Sequence, residues 1–443
     1  MAKDDRFIIA GLGGAKTLHG ELNIGGAKNE VLKVLAGSVL FKDGFTVDNV
    51  PEIEDVKQII ALLERLGVKV EHPSKNKYSL DTTKLREFSL PADISKKLRA
   101  SVVITGPLLA RFGQVVFPYP GGCVIGKRPI DLFLSGFQKM GAGITEDGET
   151  FTVATRDSHL VGAEIFFKNQ SVTATETFLM AGVLAKGQTI LKNCALEPEI
   201  ISLGEWLNEC GAKITGLGTS TIEIEGTGLL SGAGKVHHTL PDRIEAGSFM
   251  ILGALAASDL TIKKCCPEHL DALISYLAEA GVKIETGPDW VKVINRGDEK
   301  FRALDVKTHE YPGFPTDLQA PFSIFLTQVE GQSYIFETIF EGRLNYFEAL
   351  NQMGAKAKVL DSHRAIIDGP TPLLGREIES PDLRAGLAYV LAAIIASGQS
   401  VVHNVEYIDR GYEEIEKRLA ELGLDIKRAS GDKEELCQCL PQN

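Results

Sequence analysis

Six glycines recur about every 70 residues along this 443-residue chain, each between an amphipathic stretch and an apolar one. The preceding stretches, such as DVKQIIALLERLG and HLDALISYLAEAG, carry apolar residues at helical spacing and end on a glycine suited to a helix C-cap. Such a fixed period indicates one supersecondary unit repeated six times. The six glycines are Gly67, Gly141, Gly211, Gly281, Gly354 and Gly423.

Each repeat also contains a second kind of helix, as in TATETFLMAGVLA and RAGLAYVLAAIIA, which is apolar nearly all round and therefore predicted to be buried. Long units with buried central helices favour closed α/β domains of three repeats over an open solenoid. Glycines clustered between positions 226 and 234 mark the predicted boundary. We expect one domain over 25–238 and a second formed by 1–24 plus 239–443. The opening segment should pair with the second domain, so that the chain crosses twice between them.

Composition excludes several classes of function. The net charge of −12 disfavours nonspecific nucleic-acid binding. The longest apolar stretch, near 385–396, is too short to span a bilayer, and the N-terminus lacks the pattern of a signal peptide. Seven cysteines without metal-ligand spacing indicate reduced thiols. We therefore expect a cytoplasmic protein without membrane or nucleic-acid partners.

Charged residues collect where these helices begin, and helix N-termini are natural anion sites. If both domains aim these ends at one cleft, six cations would form the local cluster that an acidic chain otherwise lacks. Structural roles compete with this interpretation, since Asp242, Asp317 and Asp382 also suit N-caps and a lone arginine can serve a structural ion pair. His237 and His238 should point to opposite faces of a strand, which disfavours a metal site. The six cations are Lys28, Arg99, Arg128, Arg343, Arg384 and Arg410.

The segment PGGCVIGKRPID over 120–131 places Cys123 between a glycine pair and the cations Lys127 and Arg128. Neighbouring cations lower a thiol's pKa and also bind phosphate or carboxylate, which indicates a reactive thiol beside an anion site. A glycine-rich surface turn is the alternative. The segment is several residues longer than the corresponding turns of the other repeats, which favours a mobile lid.

These motifs, together with several others in order along the chain, carry a family resemblance. From about residue 8 to 427 the chain resembles the UDP-N-acetylglucosamine 1-carboxyvinyltransferase family of enolpyruvyl transferases. The resemblance implies a two-domain inside-out α/β barrel of six βαβαββ-type repeats, three per domain. The carrying segments are GGAKNEVL, LRAS, GPLLARFGQ, PGGCVIGKRPIDL, EPEI, LPDRIEAGSF, FPTDLQA, DLRAG and YIDRGYE.

The implied reaction transfers the enolpyruvyl group of phosphoenolpyruvate to the 3'-hydroxyl of UDP-N-acetylglucosamine and releases phosphate, the first committed step of peptidoglycan synthesis. The resemblance implies no metal and no organic cofactor. It makes Cys123 the general acid, which fosfomycin would alkylate, and Asp317 the proposed base. It makes Lys28, Arg128 and Arg410, with Arg99 nearby, the cations that hold phosphoenolpyruvate.

Further residues match substrate-binding or cleft positions of the family. Those matching the UDP-sugar site are Asn29, Arg128, Pro129, Ile130, Asp131, Leu132, Ser171, Val172, Thr173, Asp317 and Ile339. Those matching cleft residues are Glu197, Asp242, Arg343, Asp382 and Arg384.

Two departures from the family pattern and two alternatives remain open. Glu54 stands where some relatives carry a lysine, and Thr173 replaces a common glycine near the nucleotide. The first alternative is the sister enzyme that acts on shikimate 3-phosphate, which lacks a cysteine in this role. The second is a catalytically silent UDP-sugar-binding homologue, which the joint presence of acid, base and cations disfavours.

Overall fold

The computed structural model describes residues 5–95, 99–119, 130–295 and 300–430. Within these ranges the chain forms fourteen α-helices and twenty-three strands, together with short 3₁₀ turns. The helices are α1 (Lys28–Gly37), α2 (Glu54–Leu66), α3 (Ala92–Ser95), α4 (Thr105–Phe112), α5 (Asp131–Lys139), α6 (Val172–Val183), α7 (Pro198–Glu209), α8 (Arg243–Ala256), α9 (Asp271–Ala280), α10 (Gln319–Leu326), α11 (Phe347–Gln352), α12 (Leu383–Ile395), α13 (Glu406–Asp409) and α14 (Ile415–Glu421). The 3₁₀ turns are Ser38–Leu40, Arg99–Val102, Pro267–Leu270 and Thr316–Leu318.

The strands are β1 (Arg6–Ala10), β2 (Leu18–Asn23), β3 (Gly44–Asp48), β4 (Lys69–Ser74), β5 (Lys77–Asp81), β6 (Gln114–Pro118), β7 (Ala142–Glu146), β8 (Thr150–Thr155), β9 (Glu164–Phe166), β10 (Gln188–Lys192), β11 (Lys213–Thr215), β12 (Thr221–Glu225), β13 (Val236–His238), β14 (Ala257–Lys263), β15 (Lys283–Thr286), β16 (Trp290–Ile294), β17 (Asp305–Lys307), β18 (Gly331–Phe336), β19 (Lys356–Val359), β20 (Arg364–Gly369), β21 (Glu377–Glu379), β22 (Gln399–His403) and β23 (Ile426–Ala429).

The strands of the described ranges form six small sheets, one for each predicted repeat. Five sheets have four strands, and the sheet β6-β8-β7 has three. In the sheet β11-β12-β10-β9, for example, β9 and β10 are parallel while the other pairs are antiparallel. The six repeat glycines all have positive φ, from 88° to 109°, as the end of a helix requires.

The apolar helices lie inside, as their composition predicted. Every residue of α8 and of α12 is buried. In the second half of the chain α10 packs against α12 and α8, and in the first half α4 packs against α6. Helices therefore form the interior and sheets the outside, which is the inside-out α/β barrel that the family resemblance implies.

Two separate apolar cores divide the chain. The first core contains buried side chains from residues 31–230, and the second contains those from 7–24 and 244–426. The opening segment pairs with the second half, because β1 lies between β22 and β23 and β2 runs parallel to β14. In β13, His237 is buried and His238 exposed, as alternation predicted. We propose the division at 25–238 on this basis.

The chain crosses between the cores at two neighbouring segments, 24–27 and 239–242, which we call the crossing segments. They bind each other, since Ala27 N donates to Leu240 O at 2.7 Å and Asp242 N donates to Gly25 O at 2.9 Å. Each leads directly into an inner helix, α1 or α8. Within the described ranges no helix combines the length and hydropathy needed to cross a bilayer.

The first crossing segment has no space for a side chain at Gly26. A Cβ there would lie 1.7 Å from the carbonyl oxygen of Asn49, whereas a Cβ at Gly228 would meet nothing within 4 Å. We expect Gly26→Ala to lower the free energy of unfolding by about 1–3 kcal/mol, because the backbone must shift. Gly228→Ala should leave it nearly unchanged. Denaturant unfolding of both variants tests this, and equal stabilities would contradict the close approach.

Candidate active site

Lys28, Asp55 and Arg410 form a buried ion cluster between the two halves of the molecule. Lys28 is the first residue of α1, Asp55 the second of α2, and Arg410 follows α13. A carboxylate oxygen of Asp55 lies 2.7 Å from Lys28 Nζ, and Arg410 Nε donates to the other at 2.8 Å. The Asp55 side chain is only 7% exposed. Residues about 355 positions apart in sequence thus meet across the cleft.

Asp317 anchors a second ion cluster on the C-terminal side of the cleft. Arg343 Nη2 donates to one carboxylate oxygen at 3.0 Å and Arg384 Nη2 to the other at 2.9 Å. Arg343 also donates to Thr316 Oγ1, and Arg384 to the hydroxyl of Tyr412. Both arginines are buried, but the Asp317 side chain keeps 26% of its surface exposed. The carboxylate is therefore within reach of a ligand.

The two clusters affect each other electrostatically. Burial lowers the pKa of Lys28, Asp55 opposes this, and the charges of Arg384 and Arg410 lower it further. Burial alone would raise the pKa of Asp55, but Lys28 and Arg410 outweigh it and hold that pKa below its ordinary value. Four cations and three carboxylates, Asp55, Asp317 and Asp242, share this region, formally one positive charge in excess. The site can therefore accept an anion.

The arginines change what Asp317 can do. Burial would raise the pKa of this carboxyl, but the charges and hydrogen bonds of Arg384 and Arg343 hold it far below the ordinary range. A carboxylate stabilised so strongly is a poor proton acceptor. The expected role of Asp317 as a base therefore does not match this arrangement, in which the residue is a counter-ion for two arginines.

Two of the three candidate capping aspartates are caps. Asp242 accepts hydrogen bonds from Ile244 N and Glu245 N at the start of α8, and its other oxygen accepts from Lys28 N at 3.1 Å. Asp382 accepts from Arg384 N and from the next backbone N–H at the start of α12. Asp242 therefore supports the ion cluster of Lys28, Asp55 and Arg410 by binding the backbone N–H of Lys28. Asp382 caps the helix that carries Arg384.

The remaining predicted residues divide by what the structure describes. Cys123, Arg128 and Pro129 lie outside the described residues, and Arg99 is described only by its backbone in a 3₁₀ turn. Ser171 caps α6, with Val172 and Thr173 half-buried in its first turn.

Other predicted residues lie at or beside element ends. Ile130 is buried, Asp131 exposed and Leu132 half-buried where α5 begins. Ile339 is half-buried after β18, and its N–H donates to Glu337. Glu197 is buried at the start of α7.

Asp55 is the site residue that the sequence did not reveal. Its neighbour Glu54 stood out as a departure from the family pattern, yet Glu54 accepts a hydrogen bond from Gln58 one helical turn later. An acidic residue in the first turn of a helix is not by itself a sign of function, because carboxylates are common there and interact favourably with the helix dipole. Only the approach of Arg410 distinguishes Asp55.

Glu176, a buried acidic residue, lies in α6, the helix that begins with the predicted nucleotide-binding residues Val172 and Thr173. Both carboxylate oxygens of Glu176 in α6 are buried without a hydrogen bond of good geometry, although Lys33 Nζ lies 3.4 Å away. Lys33 in turn donates to the carbonyl oxygen of Asn29. Burial, opposed by Lys33 and reinforced by the charges of Glu199 and Glu197, raises the pKa of Glu176 to about 8. Glu176 is therefore mostly protonated at neutral pH.

Comparisons with known proteins agree with this geometry. The profile of the EPSP synthase (3-phosphoshikimate 1-carboxyvinyltransferase) family matches residues 12–419. The UDP-N-acetylglucosamine 1-carboxyvinyltransferase of Koribacter versatilis is 43% identical over 428 residues, covering 96% of each chain. UDP-N-acetylglucosamine 1-carboxyvinyltransferase 1 of Carboxydothermus hydrogenoformans is 41% identical and covers 97% of this chain and 99% of its own.

Solved structures show the same fold at lower sequence identity. The enolpyruvyl transferase NikO from Streptomyces tendae superposes with a TM-score of 0.85 at 22% identity, covering 97% of this chain and all of that one. EPSP synthase from Acinetobacter baumannii superposes with a TM-score of 0.70 at 19% identity, covering 96% of this chain and all of that one.

Fold and full-length similarity together define a carboxyvinyltransferase, an enzyme class built on the two-domain inside-out barrel. Within that class the chain belongs to the UDP-N-acetylglucosamine 1-carboxyvinyltransferase family.

Replacing Asp55 tests whether the cleft holds anions. Asp55→Asn removes the negative charge between Lys28 and Arg410, so we expect the free energy of unfolding to fall by about 3 kcal/mol. Inorganic phosphate should then raise the melting temperature of this variant more than that of wild type, because it replaces the lost charge. Glu54→Gln is the control, with a change of less than about 0.5 kcal/mol. Equal stabilisation of Asp55→Asn and wild type by phosphate would argue against an anion site here.

The raised pKa of Glu176 predicts a pH-dependent stability. Between the ordinary carboxyl pKa and about 8, the folded protein holds a proton that the unfolded chain has released, so stability falls as pH rises through this range. Glu176→Gln cannot titrate and should gain about 1–2 kcal/mol on wild type between about pH 5 and pH 8.5. Thermal melts across that range, with the exposed Glu64→Gln as control, measure the difference. A pH-independent difference would show that Glu176 titrates normally.

Proposed function

We propose that this protein transfers the enolpyruvyl group of phosphoenolpyruvate to the 3'-hydroxyl of UDP-N-acetylglucosamine and releases phosphate. The observation that carries the proposal is the cation cluster in the cleft, in which Lys28 meets Arg410 across Asp55 while Arg384 and Arg343 hold Asp317. Relatives that are 41–43% identical over nearly the full length are named for UDP-N-acetylglucosamine. Their names support UDP-N-acetylglucosamine as the acceptor over shikimate 3-phosphate.

Phosphoenolpyruvate carries a phosphate and a carboxylate, and the cleft offers a cation for each. In the arrangement described here Asp55 and Asp317 are the counter-ions of those cations. When the substrate binds, its anionic groups compete for Lys28, Arg410 and Arg384. Withdrawing the charge of Arg384 from Asp317 raises the pKa of that carboxyl. Asp317 then becomes a base when the substrate draws Arg384 away, which reconciles the proposed role with the low pKa of a carboxyl held by two arginines.

The reaction has two balanced steps. In the addition, a proton is added to the methylene carbon of phosphoenolpyruvate while the sugar 3'-oxygen loses its proton and bonds to the adjacent carbon. In the elimination, the carbon–oxygen bond to phosphate breaks and the methyl group loses a proton, which restores the double bond. We assign proton donation to Cys123, which lies outside the described residues, and acceptance of the hydroxyl proton to Asp317. Lys28, Arg410 and Arg384 stabilise the phosphate and the carboxylate of phosphoenolpyruvate in both steps, together with Arg128, which lies outside the described residues.

We assign binding of the UDP-sugar to residues from both halves of the chain. We assign it to Asn29, to the Ser171–Thr173 turn and to the start of α5, with Asp317 and Ile339 from the opposite side. The helix N-terminus at Ser171 suits a diphosphate, because the first backbone N–H groups of a helix have no acceptor within the helix and carry a partial positive charge. Domain closure would bring both sets together and exclude water. The reduced thiols expected from the composition fit the cytoplasmic location that the proposal includes.

Phosphate release from phosphoenolpyruvate tests this proposal. We expect release with UDP-N-acetylglucosamine and none above background with shikimate 3-phosphate. Asp317→Asn should lower kcat by about 100-fold or more, because it removes the base and unbalances two arginines. Asp305→Asn, an exposed residue of β17, is the matched control and should keep wild-type kinetics. Failure to release phosphate with the UDP-sugar would refute the assignment.

A further inference from the structure

Two buried glutamates occupy equivalent places beside the crossing segments. Glu30 is the third residue of α1 and Glu245 the third residue of α8. Their exposed fractions are 0% and 5%. Each helix directly follows one crossing segment, so each glutamate lies one helical turn from the point where the chain enters a core.

Each carboxylate binds the crossing segment that belongs to the other helix. Glu30 Oε2 accepts a hydrogen bond from Leu240 N at 2.6 Å, and Glu245 Oε2 accepts one from Gly25 N at 3.0 Å. The two contacts are reciprocal. They satisfy two backbone N–H donors that would otherwise lack an acceptor inside the protein, which is costly.

Further partners fix each carboxylate. Glu30 Oε1 accepts from Ser202 Oγ at 2.6 Å and lies 2.8 Å from His237 Nε2, whose ring packs against Trp206. These partners belong to α7 and β13, so Glu30 joins three elements of the first half.

In the second half of the chain, Arg418 fixes the carboxylate of Glu245. Its guanidinium donates to both carboxylate oxygens and, at 2.8 Å, to the carbonyl oxygen of Asn23 just before the first crossing segment. Each glutamate is therefore fixed by partners in its own half of the chain while it accepts a hydrogen bond from the crossing segment that leads into the other half.

The crossing segments lead directly to residues of the candidate active site. Lys28 follows the first directly, and Asp242 closes the second, with Lys28 N donating to Asp242 Oδ2 at 3.1 Å. A shift of either segment therefore moves Lys28 relative to Asp55 and Arg410, and a misplacement of about 1 Å is enough to reduce catalysis strongly.

We propose that Glu30 and Glu245 form a reciprocal clamp that positions Lys28 and Asp242 for catalysis. Both are positioning residues rather than catalytic ones, because their hydrogen bonds go to the crossing segments, Ser202, His237 and Arg418. The inference rests on the proposed function and extends it to two residues outside the ligand contacts assigned above.

Kinetics of Glu30→Gln and Glu245→Gln test the clamp. At a temperature about 15 °C below each melting midpoint, we expect kcat/KM for phosphoenolpyruvate to fall about tenfold or more, with a raised KM. Asp43→Asn is the control, because Asp43 is a partly buried carboxylate that accepts from Ser231 Oγ and from two backbone N–H groups away from the crossing. It should keep KM within about twofold of wild type. A purely structural role would lower the folded fraction and leave KM unchanged, which would overturn the proposal.

Amide hydrogen exchange tests the clamp without relying on catalysis. In peptide-resolved mass spectrometry, Glu30→Gln should speed exchange in 239–242 and Glu245→Gln in 24–27, whereas Asp43→Asn should affect neither. Unchanged exchange in both crossing segments would overturn the clamp even if activity falls. If wild type releases no phosphate, the proposed function fails, while the exchange result still decides whether the clamp exists.

Discussion

The buried ion cluster of Lys28, Asp55 and Arg410 is the interaction on which the cleft depends. Its members come from both apolar cores and meet at 2.7 and 2.8 Å, so the two halves must be correctly placed for it to form. Buried charges are costly unless each is paired, and removing one partner leaves the others destabilising. These charges therefore help to hold the two halves together.

This arrangement explains how an acidic chain can handle acidic substrates. The net charge is −12, yet four cations converge. Lys28 and Arg384 lie at the starts of α1 and α12, whereas Arg410 follows the end of α13 and Arg343 lies in the turn before α11. Asp55 and Asp317 hold these cations in place, and in the proposed function the anionic groups of the substrate compete for them. The low pKa of the Asp317 carboxyl follows from its two arginine partners, Arg343 and Arg384.

Much of the fold could be predicted because its signals are local. Glycine after an amphipathic helix, apolar composition of an inner helix and alternation along a strand all act within a few residues. The pairing of β1 and β2 with the second half also followed, because the opening segment lay outside the first repeat. Asp55 and the Glu30–His237 contact could not be predicted, since their partners lie 355 and 207 positions away in sequence.

The sequence by itself determined the six repeats, the buried helices and the position of Lys28 and Arg384 at helix starts, because these depend on short-range periodicity and backbone preference. The expected placement of Arg343 and Arg410 at helix starts was wrong, since Arg343 lies in a turn and Arg410 follows the end of α13. Only the tertiary structure decided which charges pair, that Asp242 and Asp382 cap helices while Asp317 holds two arginines, and that two glutamates grip the crossing segments. The physical reason is distance. Coulomb and hydrogen-bond energies act over a few ångströms, and only the folded chain brings residues so far apart in sequence to that range.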